Sequence, residues 1–419
     1  MDLTAAGPDH PVSTRYIPRK TGCCGFRIRR SPVPMKIALV CQKFRTDYGG
    51  LERYTISLAR ELLKRGHEVH VLANRWEPHD HVIFHRARAI RLDSPVKNLS
   101  FALSARRIIQ RESFDMVQSM ERVWRQDIFR ASDGINPVQV ARRHASPLKR
   151  RLALLNPRNA VLRLLEYRIF RFGGARRILT NSFLVRRQIT DHYGVRPEKI
   201  SVLYNAVDTA RFHPKQAAKW RETVRRQYGI GPADLLLLFV GNNYHRKGLA
   251  TLLQALAPDR KQRNIALIAG KGDAGHFSRL SRSMGAGDRV VFAGQVTDTV
   301  PLYAAADLFV LPTEYDAFAN VCLEAMACGL PVITTDNNGA SEIIHPGVHG
   351  HVFPVGDADH LAHALDLCQE ENARKKMGEA ARALTKNFTM ERYMERLLDL
   401  YAEVSQEKSE MTALRERHP

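Results

Sequence analysis

The chain has 419 residues, 44% of them hydrophobic, and a formal net charge of +21. That length accommodates two or three domains with cores of their own, while apolar runs such as Leu235 to Val240 reach only six residues, against the roughly 20 that a membrane-spanning helix needs. The six cysteines (Cys23, Cys24, Cys41, Cys322, Cys328, Cys368) show no Cys-x-x-Cys spacing, which argues against a zinc site and a disulfide framework and fits a reducing cytoplasm.

Residues 1–34 carry arginines and prolines without an apolar signal-peptide core, and are expected to be a disordered extension with the natural start at Met35. From Met35 the pattern is strand, glycine turn, helix, strand. Lys36 to Cys41 is a buried strand, Tyr48-Gly49-Gly50 a turn, and Arg53 to Lys64 an amphipathic helix closed by Gly66; Val69 to Ala73 returns as a strand. Phe114 to Ser119, Ile128 to Ala131, Ile178 to Asn181 and Ile200 to Leu203 read as further strands. After Asn205-Ala206-Val207-Asp208 the pattern restarts, with strands at Leu235 to Val240, Ala266 to Ala269, Val290 to Ala293, Leu308 to Leu311 and Val332 to Thr334. The fold class expected is α/β, with two doubly wound, Rossmann-like domains at 35–207 and 208–387 facing a central cleft. The last part is helical in pattern, with Tyr393, Leu397, Leu398 and Tyr401 as an apolar stripe and 406–419 as a polar tail.

The positive charge is concentrated between Arg142 and Arg187, where thirteen Lys/Arg stand against one acid, Glu166. Leucines at 152, 154, 155, 162, 164 and 165 interleave with them, as in an amphipathic segment that seeks an interface. No aromatic or zinc-finger motif supports nucleic acid, so the partner expected for 142–187 is an anionic membrane surface.

Ligands of open parallel sheets sit at the strand carboxyl ends, where loops lead into helix N-termini. Gly49 and Gly50 lie at such a place and let a phosphate or sugar approach the backbone; the GxGxxG fingerprint is absent, which disfavours a nicotinamide cofactor. Arg246 and Lys247 follow the 235–240 strand, and two cations before a helix can neutralise a diphosphate. After the strand ending at Leu311, Asp316 lies in a loop and Glu324 just over a turn inside a helix expected to begin near Asn320. Both acids can face one cleft beside the amides of Ala317, Phe318 and Ala319.

Asp316-Ala317-Phe318-Ala319, Leu323-Glu324-Ala325 and then Gly329, Pro331 and Val332 resemble the acid-x7-acid motif of the retaining family 4 glycosyltransferases of the GT-B fold. Gly49-Gly50-Leu51-Glu52-Arg53, Arg246-Lys247-Gly248 and Asn205-Ala206-Val207-Asp208 match that family too, and the resemblance runs from about residue 35 to 405. Within the family, Gln126 to Asp133 and the basic insertion after it look most similar to the glucosyltransferases acting on heptose of the lipopolysaccharide inner core. The resemblance implies that a C-terminal helix, 388–405, crosses back to complete the first domain. It also implies that Glu324 holds the donor ribose, Arg246 and Lys247 the diphosphate, and Asp316 with the Phe318 and Ala319 amides the transferred sugar. Gly49, Gly50, Asn205 and Asn320 complete the donor set, and Asp127, with Asp133 as its rival, faces the acceptor hydroxyl. Two departures bear on donor identity: Asp316 is a methylene shorter than the usual Glu, and Ala317 and Ala319 replace glycines.

The reaction that the resemblance implies is hexosyl transfer with retention, with UDP-glucose as the donor expected, heptose of the lipopolysaccharide inner core or another glycolipid saccharide as the acceptor, at the cytoplasmic side of the inner membrane. Positioned cations take the place of a metal, no cofactor is expected, and a phosphate oxygen or Asp127 takes the acceptor proton. Asp357-Ala358-Asp359 starts a helix and reads as an N-cap in preference to a metal site. The alternatives are a sugar-nucleotide epimerase of the same architecture and a transferase with another donor sugar or acceptor.

Overall fold

The computed structural model describes residues 34–45, 49–90, 92–144, 146–256 and 264–417. The expectation for residues 1–34 falls, but for Pro34, outside the described residues, as do Cys23, Cys24 and Tyr48.

The first half contains β1 (Lys36–Val40), β2 (Lys43–Phe44), β3 (Glu68–Ala73), β4 (Arg75–Trp76), β5 (Val82–Arg86), β6 (Met116–Ser119), β7 (Gln126–Ala131), β8 (Ala175–Thr180) and β9 (Ile200–Val202). Seven of them form a parallel sheet in the order β5-β3-β1-β6-β7-β8-β9, and β2 pairs with β4 apart. Around it pack α1 (Gly50–Lys64), α2 (Ser94–Arg111), α3 (Asn136–Arg143), α4 (Pro147–Leu155), α5 (Pro157–Phe170) and α6 (Phe183–Tyr193).

The second half repeats the plan with β10 (Leu235–Val240), β11 (Asn264–Ala269), β12 (Val290–Gly294), β13 (Leu308–Leu311), β14 (Val332–Thr335) and β15 (Gly350–Phe353), all parallel in the order β12-β11-β10-β13-β14-β15. Its helices are α7 (Gln216–Gln227), α8 (Leu249–Ala255), α9 (Ala274–Ser283), α10 (Val300–Ala305), α11 (Asn320–Ala327), α12 (Ala358–Leu367) and α13 (Glu371–Thr385). Central β10 is buried along its whole length, which is why it reads as an unbroken apolar run.

The final helix, α14 (Met390–Arg417), leaves the second half and packs Tyr393, Leu397, Tyr401 and Val404 into the core of Ile37, Leu39 and Met116. It continues through residues expected to form a polar tail. Glu407 is ion-paired to Arg177, and Lys408 Nζ donates to Asp127 at 3.1 Å, so the polar positions of this stretch face strands of the first sheet.

The loops at the strand carboxyl ends of the two halves meet. Asn205 Nδ2 donates to Asn320 Oδ1 at 2.6 Å, and a β-carbon on Gly339 would lie 2.0 Å from Ala317 O and 2.6 Å from Ser182 Cβ. Glu342 reaches across to the start of α6, where its carboxylate accepts from Phe183 N at 2.8 Å, Leu184 N at 2.7 Å and Tyr204 Oη at 3.0 Å. A carboxylate on two free N–H groups at a positive helix end is a strong use of an acid.

Candidate active site

The loop after β10 is shaped by backbone that only glycine fits. Gly248 has φ +73°, and a β-carbon there would lie 1.7 Å from Pro312 O; at Gly241 it would lie 2.9 Å from Lys247 Cγ. The loop is thereby pressed against β13, and the Lys247 stem runs over Gly241. Lys247 is buried, and its ammonium is bonded to the Asp316 carboxylate. Arg246 stays half exposed, with Nη1 at 3.9 Å from the same carboxylate and donating to Tyr315 O at 3.4 Å. The loop ahead of Asp316 is sewn to Arg246: Glu314 N donates to Arg246 O at 2.9 Å and Thr313 Oγ1 to the same oxygen at 3.1 Å.

Helix α11 begins at Asn320, as expected, and puts Glu324 just over a turn inside. Glu324 Oε2 accepts from Tyr303 Oη at 2.9 Å. Burial pushes its carboxyl above the usual range, opposed by the Tyr303 hydrogen bond and by the cations Arg211 and Arg53. Arg53 comes from α1 of the first half, so α1 and α11 face the same space. The α1 start is bounded by Gly49, with no side-chain cap, and a β-carbon on Gly50 would meet nothing within 4 Å. Uncapped N–H groups beside open space form an anion-ready helix end. Asn205 joins the halves: its Oδ1 accepts from Arg130 at 2.7 Å while its Nδ2 holds Asn320.

Two expectations are corrected. The Ala319 amide is already taken, donating to Oδ1 of the fully buried Asn338 at 3.1 Å, and Phe318 N donates to Asp316 Oδ1 at 3.3 Å. Asp127 does not face an acceptor. It is the second residue of β7, and its Oδ2 accepts from Val117 N at 2.9 Å and Lys408 Nζ at 3.1 Å, with Arg176 Nε 3.4 Å from Oδ1. Four residues of strand, about 13 Å, separate it from the carboxyl end where the other candidates gather. Its role is to anchor α14 and β8. Asp127→Ala should therefore lower stability by about 1–3 kcal/mol and leave turnover within about threefold, which urea melts and steady-state assays will show.

Two further acids stand just beyond the carboxyl ends of β6 and β7. Asp133 is exposed two residues beyond β7. Glu121, which sequence reasoning missed, lies two residues beyond β6, and burial pushes its carboxyl up to about 7 in spite of Arg122 and the Gln42 backbone N–H. A carboxyl protonated in the fold stabilises it below the ordinary carboxylate range, and that contribution is lost as pH rises through about 7. Glu121→Gln should flatten the fall in melting temperature between pH 5 and 8; an unchanged pH profile would contradict this placement.

Asp357 caps α12, accepting from His360 N at 2.9 Å. Among the described residues no group of three or more His, Cys, Asp or Glu is arranged to hold a metal ion. Cys41, Cys322, Cys328 and Cys368 are free, buried thiols.

Comparison with known proteins identifies the family. The family model described as Glycosyltransferase Family 4 matches residues 48–211, and that described as Glycosyl transferases group 1 matches residues 221–384. Lipopolysaccharide glucosyltransferase WaaG of Escherichia coli is 29% identical over 301 residues, covering 69% of this chain and 77% of that protein. N-acetyl-alpha-D-glucosaminyl L-malate synthase of Bacillus anthracis is 24% identical over 397 residues, covering 88% and 97%. The crystal structure of WaaG superposes with a TM-score of 0.73 at 24% identity, covering 87% of this chain and 99% of that one. HepE of Anabaena in complex with UDP-glucose gives 0.64 at 20% identity, covering 90% and 99%. With both halves matched, and with the cations and acids of the motif gathered at the facing strand ends, the chain belongs to the family 4 glycosyltransferases of the GT-B fold and is a hexosyltransferase.

Proposed function

We propose that the enzyme transfers glucose, with retention at the anomeric carbon, from UDP-glucose to heptose of the lipopolysaccharide inner core. The observation that carries this reading is the buried Lys247–Asp316 pair flanked by Arg246 and Glu324 at the strand ends. A buried ammonium without a partner is costly, and Asp316 neutralises Lys247. An incoming diphosphate takes over that role together with Arg246 and the open start of α1 at Gly49 and Gly50. Asp316 is then released to accept hydroxyls of the hexose, and Glu324 accepts from the ribose.

As the bond from the anomeric carbon to the phosphate oxygen breaks, negative charge grows on the diphosphate and is met by Lys247, Arg246 and the helix ends, with no metal required. The acceptor hydroxyl enters on the leaving-group face and gives its proton to the departing phosphate oxygen. Glu121 and Asp133 border the acceptor side. The names of the relatives, a lipopolysaccharide glucosyltransferase and a UDP-glucose complex, support this donor and acceptor.

The enzyme works at the cytoplasmic face of an anionic membrane, bound peripherally. No helix among the described residues is long and apolar enough to cross a membrane. Helix α4 has no buried residue and exposes Leu148, Leu152 and Leu155 along one face beside Lys149, Arg150 and Arg151. The one acid in the basic stretch, Glu166, is fully buried and bound to Arg122 at 2.7 Å, so it does not offset that surface. At about 1 kcal/mol per basic residue, Lys149→Ala with Arg151→Ala should weaken binding to phosphatidylserine vesicles about 30-fold. Equal binding would remove the membrane part of the reading.

The test of the reaction is nucleotide release from UDP-, GDP- and ADP-sugars in EDTA, with and without truncated lipopolysaccharide. Acceptor-dependent UDP release from UDP-glucose that survives chelation supports the proposal. Turnover without acceptor, or turnover abolished by EDTA, overturns it.

A further inference from the structure

We propose that Tyr315 is a positioning residue that couples closure of the two domains to the placement of Asp316 and Arg246. It belongs to the second half by chain position, following β13. Nevertheless it packs, with Ala317, in the cluster of the first half that contains Phe129, Ile135, Val185 and Ile189. Only 6% of its surface is exposed.

Three elements of the first half grip this one side chain. The guanidinium of Arg142, at the end of α3, lies 3.2 Å from the ring centroid, a cation–π contact with an aromatic face. Tyr315 Oη donates to Gln188 Oε1, on α6, at 3.1 Å. The hydroxyl also lies against Gly134, where a β-carbon would come within 2.3 Å of it; Gly134 has φ +75°, so backbone conformation and close approach both require glycine. Gly134 is the neighbour of Asp133.

The main chain of Tyr315 faces the other way, into the donor site. Its carbonyl accepts from Arg246 Nη1 at 3.4 Å and from Thr313 Oγ1 at 3.1 Å, and the next residue carries the carboxylate bound to Lys247. One residue thus has its side chain held by the first half and its backbone holding Arg246. If the domains part, all three grips are lost together, and the Asp316 loop loses its fixed position relative to Asp133. Closure that completes a site in this way is a common device in enzymes with a cleft between domains.

The inference rests on the reading that Asp316 faces the transferred hexose, and the test separates the two. Small-angle scattering of the unliganded protein compares wild type with Tyr315→Ala, Tyr315→Phe and Gln188→Ala, after circular dichroism has shown that each is folded. The coupling predicts a larger radius of gyration for Tyr315→Ala, a smaller shift for Gln188→Ala, and near wild-type behaviour for Tyr315→Phe, which keeps the ring under Arg142. In assays with UDP-glucose and truncated lipopolysaccharide, Tyr315→Ala should lose about 30-fold in kcat, and Tyr315→Phe no more than about fivefold, with donor KM within about threefold. Tyr315→Ala and Arg142→Ala should be less than additive in kcat. Identical scattering, full additivity, or a loss confined to KM would overturn the proposal. The scattering needs no substrate, so it decides the coupling whatever the donor is. Full activity of Asp316→Asn would instead overturn the reading of the site while leaving the scattering result intact.

Discussion

Lys247→Ala lowers kcat by about 100- to 1,000-fold, the loss expected when one positioned donor to a developing oxyanion is removed. Lys247 is the buried cation of the site, held by the Gly241 and Gly248 backbone so that its ammonium is fixed before the reaction begins. A cation that needs no reorganisation stabilises departing phosphate charge more than ground-state phosphate, so the loss falls on kcat more than on donor KM. The substitution also leaves the Asp316 carboxylate with only the more distant Arg246 as its cation, at 3.9 Å, and a fall in melting temperature should accompany the kinetic loss. Lys247→Arg separates the effects: the longer, planar head group cannot put its charge where the ammonium meets Asp316, so charge is kept and position is lost. Steady-state kinetics of both variants, with melting curves as the control, check this. A kcat within tenfold of wild type for Lys247→Ala would place the phosphate-stabilising charge elsewhere.

Glu324→Gln raises donor KM by about 10- to 100-fold, the range for a hydrogen bond to a charged group, with a smaller fall in kcat. Its carboxylate is set by α11 and oriented by Tyr303 Oη at 2.9 Å. Binding that is equal in ground and transition states appears in KM, and a ribose lies away from the bond that breaks. The sign with pH follows from burial, which holds the Glu324 carboxyl above its ordinary range. Protonation removes an acceptor, so donor affinity should fall as pH drops through that raised value, and Glu324→Gln should remove the dependence. Titration calorimetry with UDP across pH 5 to 8 reads both effects.

The gathering of Arg246, Lys247, Asp316 and Glu324 at the strand ends was legible because its signals are local. Asp316 and Glu324 stand eight positions apart on one loop and helix, and Arg246 and Lys247 directly follow a strand buried along its whole length. What the sequence obscured depends on partners remote along the chain. Asp127 reads as a loop residue until β7 is seen to begin at Gln126, which puts Asp127 at the amino end with Lys408 and Arg176. The Ala319 amide looks free until Asn338, nineteen residues on, takes it. Edge strands β5 and β15 escaped notice because each has a neighbour on one side only, and an edge needs no continuous apolar run: Ile83 in β5 is 46% exposed. The polar end of α14 reads as a tail because its partners, Arg177 and Asp127, lie in the other half of the sequence. Tyr315 and Glu342 carry no motif at all; only the meeting of two domains gives them their contacts.

The most direct measurement is a crystal structure of the enzyme with UDP-glucose bound. In that complex Lys247 is expected to turn from Asp316 to the diphosphate beside Arg246, Asp316 to accept hydroxyls of the glucose, and Glu324 to accept from the ribose. Nucleotide bound elsewhere, with Lys247 still paired to Asp316, would contradict it.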